Sequence, residues 1–296
     1  MLHKSPEVYR LICNALEEDQ ASWDATSKSL LPGGIVGTAY IVTKGKGILA
    51  GTDVALEVFK TLDSSLSTKP LLETPEGIPL PQGGDGSCIK PGDIIGQIYG
   101  SLSSILAAER TALNFLQRMS GIASVTNKYV ELVKDYSVSV VDTRKTLPGF
   151  RKLDKYAVEI GGGKNHRLHL GDGILIKDTH IKIMRNRGYS LADIIERAKH
   201  NAPHTIKVEI EVESVEDATT AIEAGADLIL LDNMTAEQMS QVTVLAKNRS
   251  LIEASGGINE SSIVAIAKAG VDIISIGKLT HSVQALDMSL KIADEL

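Results

Sequence analysis

Hydrophobic positions along this chain fall into two textures. Over roughly the first hundred residues the apolar runs are short: Ile35–Val42, Val54–Phe59 and Ile94–Tyr99. They sit between Gly- and Pro-containing stretches at Leu31–Gly51 and Pro70–Gly100. Short β-type runs punctuated by turn formers predict a strand-rich α+β domain, with a turn at Pro91-Gly92-Asp93. From Ser104 to Val133 the pattern becomes helical, rich in Ala, Leu, Arg and Gln, with Gly121 as the expected break. Beyond it, apolar runs alternate with helical segments: Val138–Val141, Ile174–Ile176, Ile206–Val212, Leu228–Leu231, Leu251–Ala254 and Ile273–Ile276. The last three begin 23 and 22 residues apart. That spacing fits a βα unit of one strand, one helix and two short loops. Ala224-Gly225-Ala226-Asp227 and Ala269-Gly270-Val271-Asp272 repeat one junction, in which a helix ends at Gly and a buried strand follows.

Repeated parallel βα units close into a barrel or open into a doubly wound sheet. The barrel is favoured, because no G-x-G-x-x-G follows a strand and no G-x-x-x-x-G-K-[ST] occurs. The expected organisation is an N-terminal α+β domain over residues 1–112 and an α/β-barrel domain over 113–281. A C-terminal helix, Ser282–Leu296, is expected to pack back on the first domain.

Composition narrows the class. At 43% hydrophobic and 23% charged, 296 residues suffice for a large core. No apolar run approaches the roughly 20 residues that span a bilayer, and Met1–Arg10 lacks a leader's apolar stretch, so a cytoplasmic protein is expected. Cys13 and Cys88 form neither a disulfide framework nor a zinc motif. A net charge of −6 argues against nucleic acid as a partner. The charge is uneven: Arg144–Arg187 holds eleven basic and four acidic residues, a local +7 that leaves −13 elsewhere. A basic segment in an acidic protein suggests a focused site for a small anion, against the plainer alternative of a basic surface strip.

Chemistry gathers at the C-terminal ends of the expected strands: Asp142-Thr143-Arg144-Lys145, Lys177-Asp178, Glu211, Asp232-Asn233, Ser255-Gly256-Gly257 and Gly277-Lys278. In a parallel barrel those ends share one rim, where catalytic groups collect. Glu209, Glu211 and Glu213 alternate with Val208, Ile210 and Val212, so the carboxylates point inward if helices cover the apolar face. An interior carboxylate needs a partner, and Lys177, Lys207 or a divalent ion could supply it. Ser255-Gly256-Gly257 lies before a helical segment expected to start near Asn259, and Gly backbone N–H groups at a helix start suit a phosphate. Gly277 ends the next strand and could share it. Arg144, Lys145, Arg167 and Lys177, with His166 beside Arg167, offer several cations to one ligand. Guanidinium forks grip carboxylates, so a ligand with more than one carboxylate is indicated. Gly161-Gly162-Gly163 would let the chain turn to present His166 and Arg167. Taken singly, each Arg is an ordinary surface residue and His166 an ordinary structural histidine; the argument rests on their convergence.

With these residues in view, the chain resembles the quinolinate phosphoribosyltransferase family. The resemblance is carried by ERTALNFLQRMSGIAS at 109–124, DTRKTLPGFRKLDKYAVEIGGGKNHRLHLGDGILIKDTH at 142–180, EIEVES at 209–214, LLDN at 230–233, EASGGI at 253–258 and GVDIISIGKLTHS at 270–282. It implies an incomplete (β/α) barrel of parallel strands beside an N-terminal α+β sandwich domain. It also implies transfer of the phosphoribosyl group of phosphoribosyl pyrophosphate (PRPP) to quinolinate with loss of CO₂, giving nicotinate mononucleotide in NAD biosynthesis. Arg144, His166, Arg167 and Lys177 would bind the quinolinate carboxylates, with Lys145 near the reacting groups. Glu211 and Asp232 would stand by the ribose and its Mg²⁺, and Ser255, Gly256, Gly257 and Gly277 would hold the 5′-phosphate. Arg110 would reach a neighbouring subunit's site, which makes a homodimer the minimal unit and a trimer of dimers the larger assembly it allows. The chain has Thr179 in Lys177-Asp178-Thr179-His180, where the family pattern has Asn. Rival readings are a related barrel protein associated with molybdenum transport, a non-catalytic anion-binding homologue, and a barrel aldolase or isomerase using Lys177 as a Schiff base.

Overall fold

The protein is described from a computed structural model, over residues 2–80 and 83–293. Its strands are β1 Val36–Thr43, β2 Gly47–Ile48, β3 Ser67–Glu73, β4 Cys88–Ile89, β5 Ile94–Ser101, β6 Ser139–Val141, β7 Ile174–Ile176, β8 Val208–Val212, β9 Leu228–Asp232, β10 Leu251–Ser255, β11 Ile273–Ser275 and β12 Met288–Ile292. Two compact units emerge. One comprises the chain up to Asn127, Leu147–Gly162 and the stretch from Ser282; the other comprises Lys128–Thr146 and Gly163–His281.

The first unit is built on an antiparallel sheet of order β12-β1-β5-β3, with the small β2–β4 pair beside it. The helix Pro6–Glu18 starts on Pro6 and buries Val8, Ile12 and Leu16, a stripe spaced by four residues. The expected strand at Val54–Phe59 is instead part of a helix, Thr52–Leu62. Val54, Ala55, Val58 and Phe59 are all buried, which is the period of a helix face rather than a strand. Asp85 secures the start of that helix by accepting the Gly51 and Thr52 N–H groups at 2.7 and 3.1 Å. The long helix runs unbroken over Leu102–Leu132. Gly121 does not interrupt it. A Cβ there would stand 2.3 Å from the Gln284 carbonyl oxygen, so the glycine admits a close backbone crossing.

The C-terminal segment is also corrected: β12 is a strand, not a helix. Met288, Leu290 and Ile292 recur with period two, and β12 pairs antiparallel with β1 from Thr43↔Met288 to Ala39↔Ile292. Residues 294–296 of the expected helix lie outside the described residues. Within the same unit Arg118 grips the fully buried Asp154 in bidentate fashion, Nε–Oδ1 2.9 Å and Nη2–Oδ2 2.7 Å.

The second unit is a parallel sheet of order β6-β11-β10-β9-β8-β7. Strands β6 and β7 do not pair. Instead the chain around Lys164 lies along the free edge of β6, with the Lys164 N–H donating to the Val140 carbonyl at 2.9 Å. This is an incomplete barrel of six parallel strands with helices between them. The repeated junctions have a common physical role. Asp227 accepts the Val208 N–H at 2.7 Å and Asp272 accepts the Ile252 N–H at 2.8 Å, so each carboxylate ties the start of a neighbouring strand. Gly225 and Gly270 precede them at φ +74° and +87°, a left-handed turn that Gly takes without strain. Among the described residues, no helix is long and apolar enough to cross a membrane.

Candidate active site

Strand register decides which side chains meet. Glu211 on β8 stands opposite Leu230 on β9, and Leu230 opposite Glu253 on β10; one step onward, Asp232 stands opposite Ser255. With Val212, Ile229, Leu231, Ile252 and Ala254 buried on the other face, the polar residues turn inward. They line a cavity of about 370 Å³, together with Thr143, Arg144, Lys145, His166, Arg167, Leu175, Lys177 and Ser275. Among the sequence candidates, Arg144, Lys145, His166, Arg167, Lys177, Glu211, Asp232 and Ser255 are thus brought to one place.

Lys145 is fixed at its backbone: its N–H donates to Thr143 Oγ1 at 3.0 Å and its carbonyl accepts the Thr280 hydroxyl at 2.9 Å. Arg144 keeps a buried Nε that no described group accepts. The Arg167 guanidinium donates to the Gly173 carbonyl at 2.8 Å. Burial, and then the charge of Arg144, lower the pKa of Arg167, yet a guanidinium remains protonated throughout the working range. Two adjacent cations that repel each other favour a polyanionic ligand.

Lys177 Nζ lies 3.6 Å from Glu211 Oε2. Burial raises the Glu211 carboxyl, Lys177 pulls it back, and the nearby Asp232 adds to the rise. Asp232 accepts the Asn233 side-chain amide at 2.8 Å. Two neighbouring carboxylates at one rim suit a hard divalent cation bound through oxygen.

The other expected partner, Lys207, precedes β8 at its opposite end. It lines a separate cavity with Asp227, Lys247, Arg249 and Asp272, so it does not serve Glu211. Glu213 is exposed, beyond the end of the strand. Gly256 and Gly257 take φ of +88° and +58°, and Gly277 sits where a Cβ would meet Lys145 and His281 at 3.0–3.1 Å. The helix after the glycines begins only at Ile263 and has six residues. The glycine backbone, and no helix start near Asn259, is therefore what this loop offers to an anion. Arg110 is on the helix Leu102–Leu132 and lines a different cavity, about 460 Å³, with Glu18, Asp19, Asn114, Arg118 and Phe150.

Three buried carboxylates, Glu253 in the cavity lining and Asp142 and Glu209 close to it, were given no role from the sequence. Asp142, with no exposure, accepts the His166 backbone N–H at 2.8 Å. Glu209 and Glu253 face the His166 ring, with Nε2 at 3.4 Å from Glu209 Oε2 and 3.6 Å from Glu253 Oε1. Burial first, and then the neighbouring Glu209, push the Glu253 carboxyl up to about 7. The signal was present: Glu253 is a charge in the middle of the apolar run Leu251–Ala254, which a buried strand does not carry without cause.

The geometry can be set beside known proteins. The model for the quinolinate phosphoribosyl transferase C-terminal domain matches residues 122–291, and that for the N-terminal domain matches 24–120. The carboxylating nicotinate-nucleotide pyrophosphorylase of Mycobacterium leprae is 37% identical over 286 residues, covering 95% of each chain. The solved nicotinate-nucleotide pyrophosphorylase of Francisella tularensis superposes with a TM-score of 0.88 at 39% identity, covering 99% of each chain. The solved NadC of Streptococcus pyogenes gives 0.86 at 39% identity, covering 97% of this chain and 98% of the other.

Proposed function

The chain belongs to the quinolinate phosphoribosyl transferase family, and from that premise we propose that it transfers the phosphoribosyl group of PRPP to quinolinate. The products would be nicotinate mononucleotide, pyrophosphate and CO₂, a step of NAD biosynthesis. The observation that carries this reading is the single cavity where Arg144, Lys145, Arg167 and Lys177 face Glu211, Asp232 and Ser255. An anion binder gains nothing from two carboxylates among its cations; a ribosyl transferase does. Molybdenum-associated and purely binding roles find no support in the relatives reported above.

In this reading Arg144, Arg167 and Lys177 hold the quinolinate carboxylates and offset the repulsion between two anionic substrates. The ring nitrogen attacks C1 of the ribose, and pyrophosphate departs. Glu211 and Asp232 stabilise the positive charge that develops on the sugar. The ribosylated ring nitrogen, now cationic, accepts the electron pair left when the 2-carboxylate departs as CO₂. The carbon it leaves takes up one proton, for which the Lys145 ammonium is the candidate donor. Ser255, Gly256, Gly257 and Gly277 offer the 5′-phosphate close backbone approach. Glu211 and Asp232 fit Mg²⁺, which supplies charge neutralisation to the pyrophosphate group when bound.

A homodimer with shared sites belongs to the same reading, with Arg110 completing the partner's cavity and further assembly into a trimer of dimers open to it. So does a cytoplasmic location. Arg110→Ala should be inactive, and mixing it with Lys177→Met should regain activity because some mixed sites are intact. No regain would remove the shared-site assignment.

Turnover with quinolinate, PRPP and Mg²⁺, compared with nicotinate in place of quinolinate, tests the function. The dicarboxylate should be consumed and the monocarboxylate ignored. Equal use of both, or of neither, would overturn the proposal.

A further inference from the structure

His166 has two ring nitrogens, and both are engaged. Nδ1 accepts the backbone N–H of Arg167 at 2.7 Å, so it carries no proton in this arrangement. The proton then sits on Nε2, which faces the Glu209 and Glu253 carboxylates at 3.4 and 3.6 Å. Those carboxylates are almost wholly buried, with one oxygen of each lacking a hydrogen-bond partner among the described residues. The His166 backbone is pinned as well, by Asp142 at 2.8 Å. Nδ1 of the imidazole is therefore taken by the chain, and Nε2 is turned toward two buried carboxylates. Its neighbour Arg167 does have donors in the cavity, and Arg167 is held from the other side by the Gly173 carbonyl.

We propose that His166, Glu209 and Glu253 form a buried positioning unit that fixes the Arg167 backbone, and so acts on the dicarboxylate through Arg167 without touching it. This rests on the functional reading above and replaces direct carboxylate binding by the His166 ring. A metal ion held by the same three side chains is the competing use of the cluster, whose ligand atoms lie within 4.8 Å of one another. The proton assignment is simpler, because the Nε2–H already faces both carboxylates and the cations Arg144 and Arg167 are close by.

The test uses full-length protein labelled with ¹⁵N-histidine, with the His166 signal assigned by its loss in His166→Gln. Without substrate, Nδ1 should be unprotonated and Nε2 protonated, and zinc should leave the Nε2 proton in place. Quinolinate should leave that tautomer in place. An Nδ1–H tautomer, a switch on adding quinolinate, or loss of the Nε2 proton to zinc would overturn the proposal. Kinetics give the second arm. Glu253→Leu should raise the quinolinate KM about tenfold with kcat within about threefold, as expected for lost uniform binding. Glu253→Gln, which keeps an acceptor for Nε2–H, should recover most of that loss.

In an Arg167→Ala background, Glu253→Leu should add less than about twofold to KM, because the two act as one unit. Full multiplication of the two effects would refute action through Arg167. A wild-type protein that does not turn over quinolinate would sink the functional reading, whereas the tautomer is read without any substrate and still tests the unit.

Discussion

Gly256 offers a sharp test of how the cavity is built. Its φ of +88° is a conformation L-residues reach only with strain, and an added Cβ would lie 2.3 Å from Asn233 Oδ1 and 2.8 Å from the Asn233 backbone nitrogen. Asn233 cannot easily withdraw. It is itself left-handed at φ 55°, its N–H donates to the Ser255 carbonyl at 3.1 Å, and its amide donates to Asp232 at 2.8 Å. Gly256→Ala therefore carries two costs: about 1–2 kcal/mol for the backbone and about 1–3 kcal/mol for the overlap. Gly257→Ala is the matched control. It has φ +58°, but its nearest contact is 3.9 Å away, so it carries only the backbone cost. Urea unfolding with unchanged m-values should place Gly256→Ala lower by about 1–3 kcal/mol, the overlap term alone. The same overlap displaces the Asp232 carboxylate, so KM for PRPP should rise more in Gly256→Ala than in the control. Equal stability and equal KM in the two variants would refute the packing argument.

Three further outcomes are expected. Asp154→Ala removes the bidentate partner of Arg118 from a fully buried position, and should cost about 3–5 kcal/mol in denaturant unfolding; a loss under about 1 kcal/mol would contradict the role given to that pair. Arg144→Ala should weaken quinolinate binding by about 2–5 kcal/mol in calorimetry, and unchanged affinity would misplace the site. Glu253 is protonated in the folded chain at pH values where the unfolded chain releases the proton, since its carboxyl is raised to about 7. Stability should therefore fall as pH climbs from the ordinary carboxyl range toward 7, and level off above it. Glu253→Gln, which cannot ionise, should gain stability relative to the parent across that window; a difference independent of pH would contradict the buried carboxyl.

Much of the barrel was legible because its signals are local. Apolar runs of three to seven residues mark buried parallel strands, and the polar groups that close them, from Arg144 and Lys145 to Asp232 and Ser255, fall on one rim by the topology alone. The errors arose where packing outweighs local pattern. Val54–Phe59 is β-branched and aromatic enough to suggest a strand, but Asp85, more than thirty residues away, caps it as a helix. Gly121 looks like a breaker until Gln284 is seen crossing it. The stretch after Ser282 joins β1, a partner nearly 250 residues distant, and no neighbouring residue announces that. His166 illustrates the same limit at the site. Its place beside Arg167 was visible in sequence, but the carboxylates that occupy its ring come from β8 and β10.

The most direct measurement of the central claim is the fate of the 2-carboxylate. Quinolinate labelled with ¹³C at that position should release ¹³CO₂ only when PRPP and Mg²⁺ are both present, in equal amount to the nicotinate mononucleotide formed. Label that stays on the pyridine ring, or leaves without PRPP, would contradict a barrel mouth built to join a dicarboxylate to an activated sugar phosphate.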